Sequence, residues 1–192
     1  MATKLNQIDL NKYGLEDYRF EELISEIELS KRVREIGEQI SIDYKGKIPV
    51  IICVLNGSFL FMADLVRYLN IDFEVDFIKI SSYGNDTKTS GTVRLIKDIS
   101  ADITGRDLIV VEDIVDTGLS VEFLYNRLNE AKPTSIRFAT CLKKPSKVNI
   151  DELVNYIGFN ISDSFVIGYG LDYAQKFRGL SSIYNLIPKK EN

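Results

Sequence analysis

Residues 108–120 of this 192-residue chain are Leu108-Ile109-Val110-Val111-Glu112-Asp113-Ile114-Val115-Asp116-Thr117-Gly118-Leu119-Ser120. The run begins with apolar, mostly β-branched residues, a pattern typical of a strand that is buried on both faces of a parallel sheet. Two carboxylates follow, then a short loop with hydroxyls and a glycine, and residues 121–128 have apolar side chains at helical spacing. Because backbone N–H groups at the start of a helix point towards a bound anion, this order predicts an anion site at the carboxyl edge of an α/β sheet.

The acidic residues say more about the ligand than the loop does, because a phosphate site alone has no need of three neighbouring carboxylates. Glu112 and Asp113 can accept hydrogen bonds from vicinal sugar hydroxyls or hold Mg²⁺, and Thr117 and Ser120 can hold a phosphate together with loop amides. A ribose 5-phosphate could bind the carboxylates through its hydroxyls and the loop through its phosphate. The alternative is an ordinary strand-to-helix turn in which Asp116 caps the helix, but capping explains one acid and leaves two unexplained.

At these residues the chain resembles a known family. Residues 108–120 resemble the phosphoribosyl-pyrophosphate motif of the type I phosphoribosyltransferases, in the form found in the hypoxanthine-guanine branch. Two other phosphate motifs, Gly-x-x-x-x-Gly-Lys-Ser/Thr and Gly-x-Gly-x-x-Gly after a strand, are absent from the sequence. The ribose and phosphate site implied by the resemblance consists of Glu112, Asp113, Asp116, Thr117, Gly118, Leu119 and Ser120. A carboxylate is electrostatically unusual beside a phosphate, which suggests that Asp116 is catalytic and shares the proton at purine N7.

The composition narrows the class of protein. A chain of 192 residues suits one well-buried domain, and its net charge of −4 argues against a general nucleic-acid binder. The sequence contains no histidine, so a bound metal should take oxygen ligands, as Mg²⁺ does. Cys53 and Cys141 lie in apolar runs and are expected to be free thiols in a reducing compartment. Neither a signal-peptide core nor a membrane-spanning run is evident, so we expect a cytoplasmic protein without membrane contact.

Residues 1–20 are polar and weakly patterned, which predicts a loosely attached extension. We place an N-terminal extension, partly in a hood, at residues 1–24 and a single domain at residues 25–192. Ser25-Glu26-Ile27-Glu28 predicts a capping box, and the helix that it opens should run to about Tyr44. The expected apolar face of this helix carries Ile27, Val33, Ile36 and Ile40.

A second buried strand at residues 49–55 ends in Asn56-Gly57-Ser58, before an expected helix at residues 59–69. Small residues at a helix N-terminus suit a second anion, although many such turns bind nothing. In the family, the matching turn is usually Leu-Lys-Gly-Gly or Leu-Lys-Gly-Ser, often with a cis peptide before the lysine, and it binds pyrophosphate. The resemblance therefore assigns pyrophosphate binding to Asn56 and Gly57, with Asn56 removing one positive charge.

The alternation at residues 73–81 predicts a third strand, with Phe73, Val75 and Phe77 on one face and Glu74 and Asp76 on the other. A polar tract at residues 82–91 follows, and alternation resumes at residues 92–96. A hairpin tip needs fewer residues than this tract has, so we favour a mobile lid. The resemblance implies that Ser82 and Tyr83 belong to a loop that closes over the reaction centre and excludes water.

Another core strand at residues 135–142 leads into a basic cluster at residues 143–147. Such clusters are usually solvated, and this is the expectation for Lys143 and Lys147. The resemblance gives Lys144 a different role, in contact with the exocyclic oxygen of a purine. It also implies a purine site completed by Phe165 over the ring, the main chain of Val166 at the base edge and Asp172 on a second Mg²⁺, with Arg178 on pyrophosphate.

Over residues 25–187, the resemblance implies an α/β protein with the type I phosphoribosyltransferase fold. This fold has a twisted, mainly parallel sheet flanked by helices, and a small hood formed by part of the N-terminus and about residues 150–192. The implied reaction transfers the phosphoribosyl group of 5-phospho-α-D-ribose 1-diphosphate to hypoxanthine, with guanine as a further candidate, in a homodimer or homotetramer. The implied Mg²⁺ ligands are Glu112, Asp113 and Asp172.

Two alternatives stay open at this point. One is a transferase of the same family that prefers xanthine, since the sequence does not resolve contacts to the purine 2-position. The other is a regulatory protein of the same fold that binds nucleotide and RNA, because fold alone does not determine function. The acidic net charge argues against the second alternative.

Overall fold

The computed structural model describes residues 10–83, 92–145 and 152–189. The expected lid tract at residues 84–91 and Lys147 of the basic cluster lie outside the described residues, and of Ser82 and Tyr83 only the backbone is described. In the described ranges, no helix is both long enough and apolar enough to cross a bilayer. All of the predicted strands and helices fall within these ranges.

The described residues contain nine strands and three α-helices, besides short 3₁₀ turns at Leu10–Tyr13 and Val66–Tyr68. In chain order these are β1 Tyr18–Ile24, α1 Glu26–Asp43, β2 Val50–Leu55, α2 Phe59–Leu65, β3 Glu74–Tyr83, β4 Thr92–Lys97, β5 Asp107–Val115, α3 Leu119–Asn129, β6 Ser135–Lys143, β7 Val154–Asn160, β8 Val166–Ile167 and β9 Ile183–Pro188.

The larger sheet has six strands in the order β4-β3-β2-β5-β6-β7. All neighbouring pairs in it are parallel except β3 with the edge strand β4, which is antiparallel. A second sheet has the order β1-β9-β8 and is antiparallel, so it joins both ends of the described chain. The predicted α/β class with a mainly parallel sheet is confirmed, and the small sheet corresponds to the expected hood. The domain boundary at residues 24 and 25 stays a prediction.

Strand β5 lies in the middle of the large sheet, between β2 and β6. Its side chains alternate between two apolar cores. Ile109 and Val111 belong to the core formed with α1 and α2, whereas Leu108 and Val110 belong to the core formed with α3. Burial on both faces explains why the strand is a continuous apolar run. Because parallel strands end at one edge of the sheet, the residues after β2 and β5 meet there.

Helix α1 begins as predicted. The Ser25 hydroxyl accepts the backbone N–H of Glu28, and the Glu28 carboxylate accepts the backbone N–H of Ser25, which completes the capping box. The buried residues of α1 are Leu29, Val33, Ile36, Gly37 and Ile40. The expectation for Ile27 was wrong, since this side chain is 81% exposed. It is two residues from Leu29, which is about 200° around a helix, and therefore faces solvent.

Strand β3 buries the face that carries Asp76 and Ile78, although the side chain of Glu74 at its start is 54% exposed. Val75 and Phe77 are 44% and 41% exposed, whereas Asp76 is 8% exposed. The Asp76 carboxylate accepts the backbone N–H groups of Phe77, Ser100 and Ala101 at 2.6–2.7 Å, which satisfies it in the interior. Burial by itself would raise the pKa of Asp76, but these donors outweigh it and the pKa is lowered. The alternation thus predicted the strand correctly without showing which face is buried.

Candidate active site

Two loops meet at the carboxyl edge of the large sheet. The turn at residues 56–58 joins β2 to α2, and the loop at residues 116–118 joins β5 to α3. The peptide bond between Leu55 and Asn56 is cis. Gly57 packs so closely on Asp113 that a Cβ atom at position 57 would overlap its carboxylate. The absence of a side chain at Gly57 therefore brings the turn into direct contact with the acidic pair.

Glu112 and Asp113 form this acidic pair. Burial raises the pKa of Glu112 well above its ordinary value, and the neighbouring charge of Asp113 adds to the effect. Burial also raises the pKa of Asp113 to about 6, against the lowering effect of the Ile114 N–H, which donates to Oδ1 at 2.7 Å. Two buried carboxylates with raised pKa values favour a bound cation, because a nearby positive charge stabilises their ionised forms.

The predicted metal ligands do not form one cluster. In residues 10–83, 92–145 and 152–189, no three acidic or cysteine side chains are arranged to hold a single metal ion. Apart from the acidic pair, Asp172 accepts the backbone N–H of Gln175 at 2.7 Å and pairs with Arg178 at 2.6 Å. Hard oxygen donors in two separate groups fit Mg²⁺, which commonly binds one or two carboxylates and completes its shell with water and substrate phosphates.

The N-cap residue of α3 has no side chain that could cap the helix. Gly118 is the N-cap residue, with a left-handed φ of 85° that glycine adopts readily. The Glu122 N–H donates to Gly118 O at 3.0 Å and closes the first turn. The Leu119 N–H at the start of α3 donates to Thr117 Oγ1 at 3.5 Å and the Asp116 carboxylate pairs with Lys144, so the structure does not support the alternative in which Asp116 is simply a capping residue.

The same loop presents groups that suit a phosphate. Asp116 is followed by Thr117, whose Oγ1 lies 3.5 Å from the Leu119 N–H, and Ser120 lies in the first turn of α3. The N–H groups of a first helical turn have no partners within the helix and point towards its N-terminal side. The predicted phosphate-binding residues therefore share one loop and one helix start.

Lys144 lies directly after β6, and its side chain is 10% exposed. Its backbone N–H donates to Val115 O at 2.8 Å, which fixes it beside the end of β5. The Nζ atom lies 3.3 Å from Asp116 Oδ2 and 3.3 Å from Asp163 Oδ1. Lys144 is thus a buried cation with two carboxylate partners, and it holds a hydrogen-bond donor beside Asp116.

The loop at residues 168–178, which we call the hood loop, brings further predicted residues to the turn at residues 56–58. Gly170 packs so closely on the Gly57 carbonyl that a Cβ atom at position 170 would overlap it. Arg178 donates from Nη1 to Gly170 O at 2.7 Å, and its positive charge acts on Asp113 by lowering the pKa of that carboxyl. The hood loop therefore places Arg178 and Asp172 near both the turn and the acidic pair.

The predicted purine-stacking residue is accessible. Phe165 is 51% exposed and makes an edge-to-face contact with Tyr173, with ring centroids 6.0 Å apart. Val166 is buried in β8, where it pairs with Asn185 of β9. Because Asp163, two residues before Phe165, contacts Lys144, the segment that carries Phe165 lies beside Lys144. An exposed ring at this position can stack on a flat base.

Three residues near the site were missed in the sequence. Asp163 lies in the polar turn Ser162-Asp163-Ser164, a context that usually predicts only a solvated loop. Asp64 and Tyr169 contact each other across 105 positions of sequence, a separation that no local pattern reveals. The flanking glycines of Tyr169 were the one available signal, since glycine often marks a close backbone approach.

Comparison with known proteins agrees with this geometry. The family model described as "Phosphoribosyl transferase domain" matches residues 22–174. The hypoxanthine-guanine phosphoribosyltransferase of Bacillus subtilis is 43% identical over 166 residues, covering 86% of this chain and 92% of the relative.

Two solved structures are also similar. A hypoxanthine-guanine phosphoribosyltransferase from Bacillus anthracis is 46% identical with a TM-score of 0.82, covering 87% of this chain and 98% of its own. A hypoxanthine phosphoribosyltransferase from Staphylococcus aureus is 35% identical with a TM-score of 0.84, covering 96% of this chain and 100% of its own. With a family model that matches most of its length and a fold shared with these structures, the chain belongs to the phosphoribosyltransferase family.

Proposed function

We propose that this protein is a purine-salvage enzyme. It transfers the 5-phosphoribosyl group of 5-phospho-α-D-ribose 1-diphosphate to hypoxanthine, with guanine as a second base, and it releases IMP or GMP and pyrophosphate. The observation that carries the proposal is the pairing of the Lys144 ammonium with the Asp116 carboxylate at 3.3 Å, next to the loop that suits a phosphate. The names of the similar proteins support the same reaction.

This pair matches one edge of a 6-oxopurine. The exocyclic O6 and the ring N7 lie on the same edge of the base. A lysine ammonium can only donate and O6 can only accept, while a carboxylate accepts the proton that N7 carries when N9 attacks the sugar. Lys144 and Asp116 thus offer one donor and one acceptor side by side, as O6 and N7–H require.

We assign the remaining groups of the substrates to the residues that the resemblance implies. Ribose 5-phosphate is assigned to residues 116–120 with the Glu112-Asp113 pair, and pyrophosphate is assigned to Asn56, Gly57 and Arg178. The purine is assigned to Lys144, Phe165, Val166 and Asp172. Ser82 and Tyr83 are assigned to the closing lid. In this assignment Glu112 and Asp113 orient the ribose hydroxyls, Phe165 holds the base by stacking, and Arg178 neutralises the leaving group.

We also propose that Mg²⁺ is required, held by Glu112 and Asp113 and separately by Asp172. When bound, Mg²⁺ would neutralise charge that develops on the departing pyrophosphate. Turnover should therefore disappear in excess chelator and return on addition of Mg²⁺ or Mn²⁺, measured as IMP formation. Full turnover in chelator would contradict the assignment of these carboxylates.

The function itself is tested by offering hypoxanthine, guanine, xanthine and adenine separately, with 5-phospho-α-D-ribose 1-diphosphate and Mg²⁺. We expect hypoxanthine to be a good substrate and adenine a very poor one, with nucleotide and pyrophosphate formed in equal amounts. A preference for xanthine would favour the first alternative, and nucleotide binding without turnover of any base would favour the regulatory one.

Three further assignments belong to this proposal. We assign β1, β8 and β9 to the hood of a single catalytic domain because they form one sheet, whereas β7, which lies within the expected hood segment at about residues 150–192, belongs to the large sheet. Copies of the chain associate as a homodimer or homotetramer, which the exposed Val75, Phe77 and Ile96 support because association can remove them from water. A reducing, cytoplasmic location is supported by two buried free cysteines.

A further inference from the structure

The hood loop is attached to α2 by one hydrogen bond between side chains. The Tyr169 hydroxyl donates to Asp64 Oδ2 at 2.7 Å, and Tyr169 is 7% exposed. Burial raises the pKa of the Tyr169 hydroxyl, and the Asp64 carboxylate raises it further, so the hydroxyl keeps its proton and remains a donor. A hydrogen bond from a buried hydroxyl to a charged acceptor is among the stronger ones in proteins.

The backbone around Tyr169 needs such a restraint. Tyr169 has a φ of 49°, between Gly168 at 95° and Gly170 at 99°. A left-handed φ is unfavourable for a bulky side chain and persists only where the surroundings hold it. Here the Tyr169 N–H donates to Leu180 O at 2.8 Å, and the hydroxyl is held by Asp64.

The next residue of the loop makes the second attachment. Gly170 packs directly on the carbonyl of Gly57, and its own N–H donates to Arg178 O at 2.9 Å. Gly57 and Asp64 belong to one continuous piece of structure, because the Ser58 hydroxyl donates to Val54 O at 2.5 Å and α2 follows at once. Consecutive residues of the hood loop thus touch one rigid element at two points.

A cavity borders the contact between Tyr169 and Asp64. A space of about 360 Å³ lies between α1, α2 and the hood loop, and its walls include Leu29, Asp64, Tyr68 and Tyr169. Tyr169 is part of the core formed with α1 and α2, but one side of it borders this open space, where its ring has no packing partner. The bond to Asp64 is the directional contact that holds the ring on the α2 side.

We propose that Tyr169 is a positioning residue for pyrophosphate binding. Its bond to Asp64 holds the hood loop against the turn at residues 56–58 and so sets the distance from Arg178 and Asp172 to that turn. With the bond removed, the hood loop keeps the contact of Gly170 with Gly57 and the packing of Tyr169 and Leu171 in the core, but it loses the directional contact that fixes its position against α2. This inference rests on the proposed function, because that function assigns Arg178 and the turn to pyrophosphate.

The test compares Tyr169→Phe with Tyr68→Phe. Tyr68 borders the same cavity, but its hydroxyl lies 3.4 Å from the Ser30 hydroxyl on α1, and Tyr68 is not part of the hood loop. We expect Tyr169→Phe to raise KM for 5-phospho-α-D-ribose 1-diphosphate by about tenfold, since one strong hydrogen bond is lost, while KM for hypoxanthine changes by less than about twofold. Tyr68→Phe should change neither constant. An unchanged KM in Tyr169→Phe, or an equal increase in both variants, would overturn the proposal.

A second measurement does not depend on turnover. The amide hydrogens of Tyr169 and Gly170 should exchange faster in Tyr169→Phe and in Asp64→Ala than in the wild type, because the loop opens more often. Asp64→Asn keeps a carbonyl oxygen that accepts the hydroxyl, so it should retain most of the protection. Equal protection in wild type and Asp64→Ala would overturn the proposal even if the wild type is active. If the wild type is inactive but the amides exchange faster in these variants, the proposed function is wrong and the attachment of the hood loop by Tyr169 is still supported.

Discussion

The Asp116→Asn variant should turn over hypoxanthine about 10²- to 10⁴-fold more slowly than the wild type, the range typical for loss of a general acid or base. An amide has the same shape as the carboxylate but cannot take up the N7 proton as N9 attacks the sugar. The substrates meet almost the same surface, so their KM values should change little. The measurement is steady-state kinetics for both substrates at saturating Mg²⁺.

A matched control comes from the second carboxylate on Lys144. Asp163 Oδ1 lies at the same 3.3 Å from Lys144 Nζ as Asp116 Oδ2 does, but the Asp163 side chain is 88% exposed. Asp163→Asn therefore weakens the ion pairing of Lys144 without removing the proposed base, and kcat should fall by less than about fivefold, as exposed ion pairs contribute little. Equal losses in the two variants would mean that Asp116 acts only by holding Lys144.

The second large effect concerns the choice of base. Adenine carries an amino group where hypoxanthine carries O6, so its donor would face the donor of Lys144 and leave a buried charge without an acceptor. Sites built on such a hydrogen bond can reject the wrong analogue by about 10⁴-fold. Lys144→Met keeps a side chain of similar length and removes the ammonium donor, so hypoxanthine turnover should fall far more than adenine turnover. The measured quantity is the ratio of kcat/KM for the two bases.

Lys143→Met serves as the control for the selectivity experiment, because it removes one positive charge from the adjacent position at the end of β6. In this variant, the ratio of kcat/KM for hypoxanthine to kcat/KM for adenine should stay near the wild-type value. Efficient use of adenine by the wild type, or an unchanged ratio in Lys144→Met, would remove Lys144 from the purine site.

Local patterns predicted the elements that depend on local physics. The continuous apolar runs of β2 and β5 required burial on both faces, and the capping box located the start of α1 within one residue. The segments that pack against a helix or strand determine which of its faces is buried. Ile27 has the hydrophobicity of a core residue but the wrong angular position, and Asp76 is buried because backbone N–H groups from residues 100 and 101 reach it.

The site was predictable only in part, for the same reason. The acidic pair and its loop lie within a few residues of each other, so their sequence order already indicated a shared site. The Asp163 contact to Lys144 and the Tyr169 contact to Asp64 depend on how distant segments pack together. No spacing rule encodes such contacts, and they became visible only with the fold.

The two cysteines have a practical consequence for experiments on residues 84–91. Cys53 and Cys141 are buried free thiols, and burial raises the pKa of each, so both stay protonated and shielded from water at neutral pH. Alkylating reagents attack thiolates, which makes these two sulfur atoms poor targets in the folded protein. The wild-type protein should therefore react little with such reagents. A single cysteine introduced into residues 84–91 could carry a fluorescent or spin label whose signal reports on that tract alone, without first removing either natural cysteine.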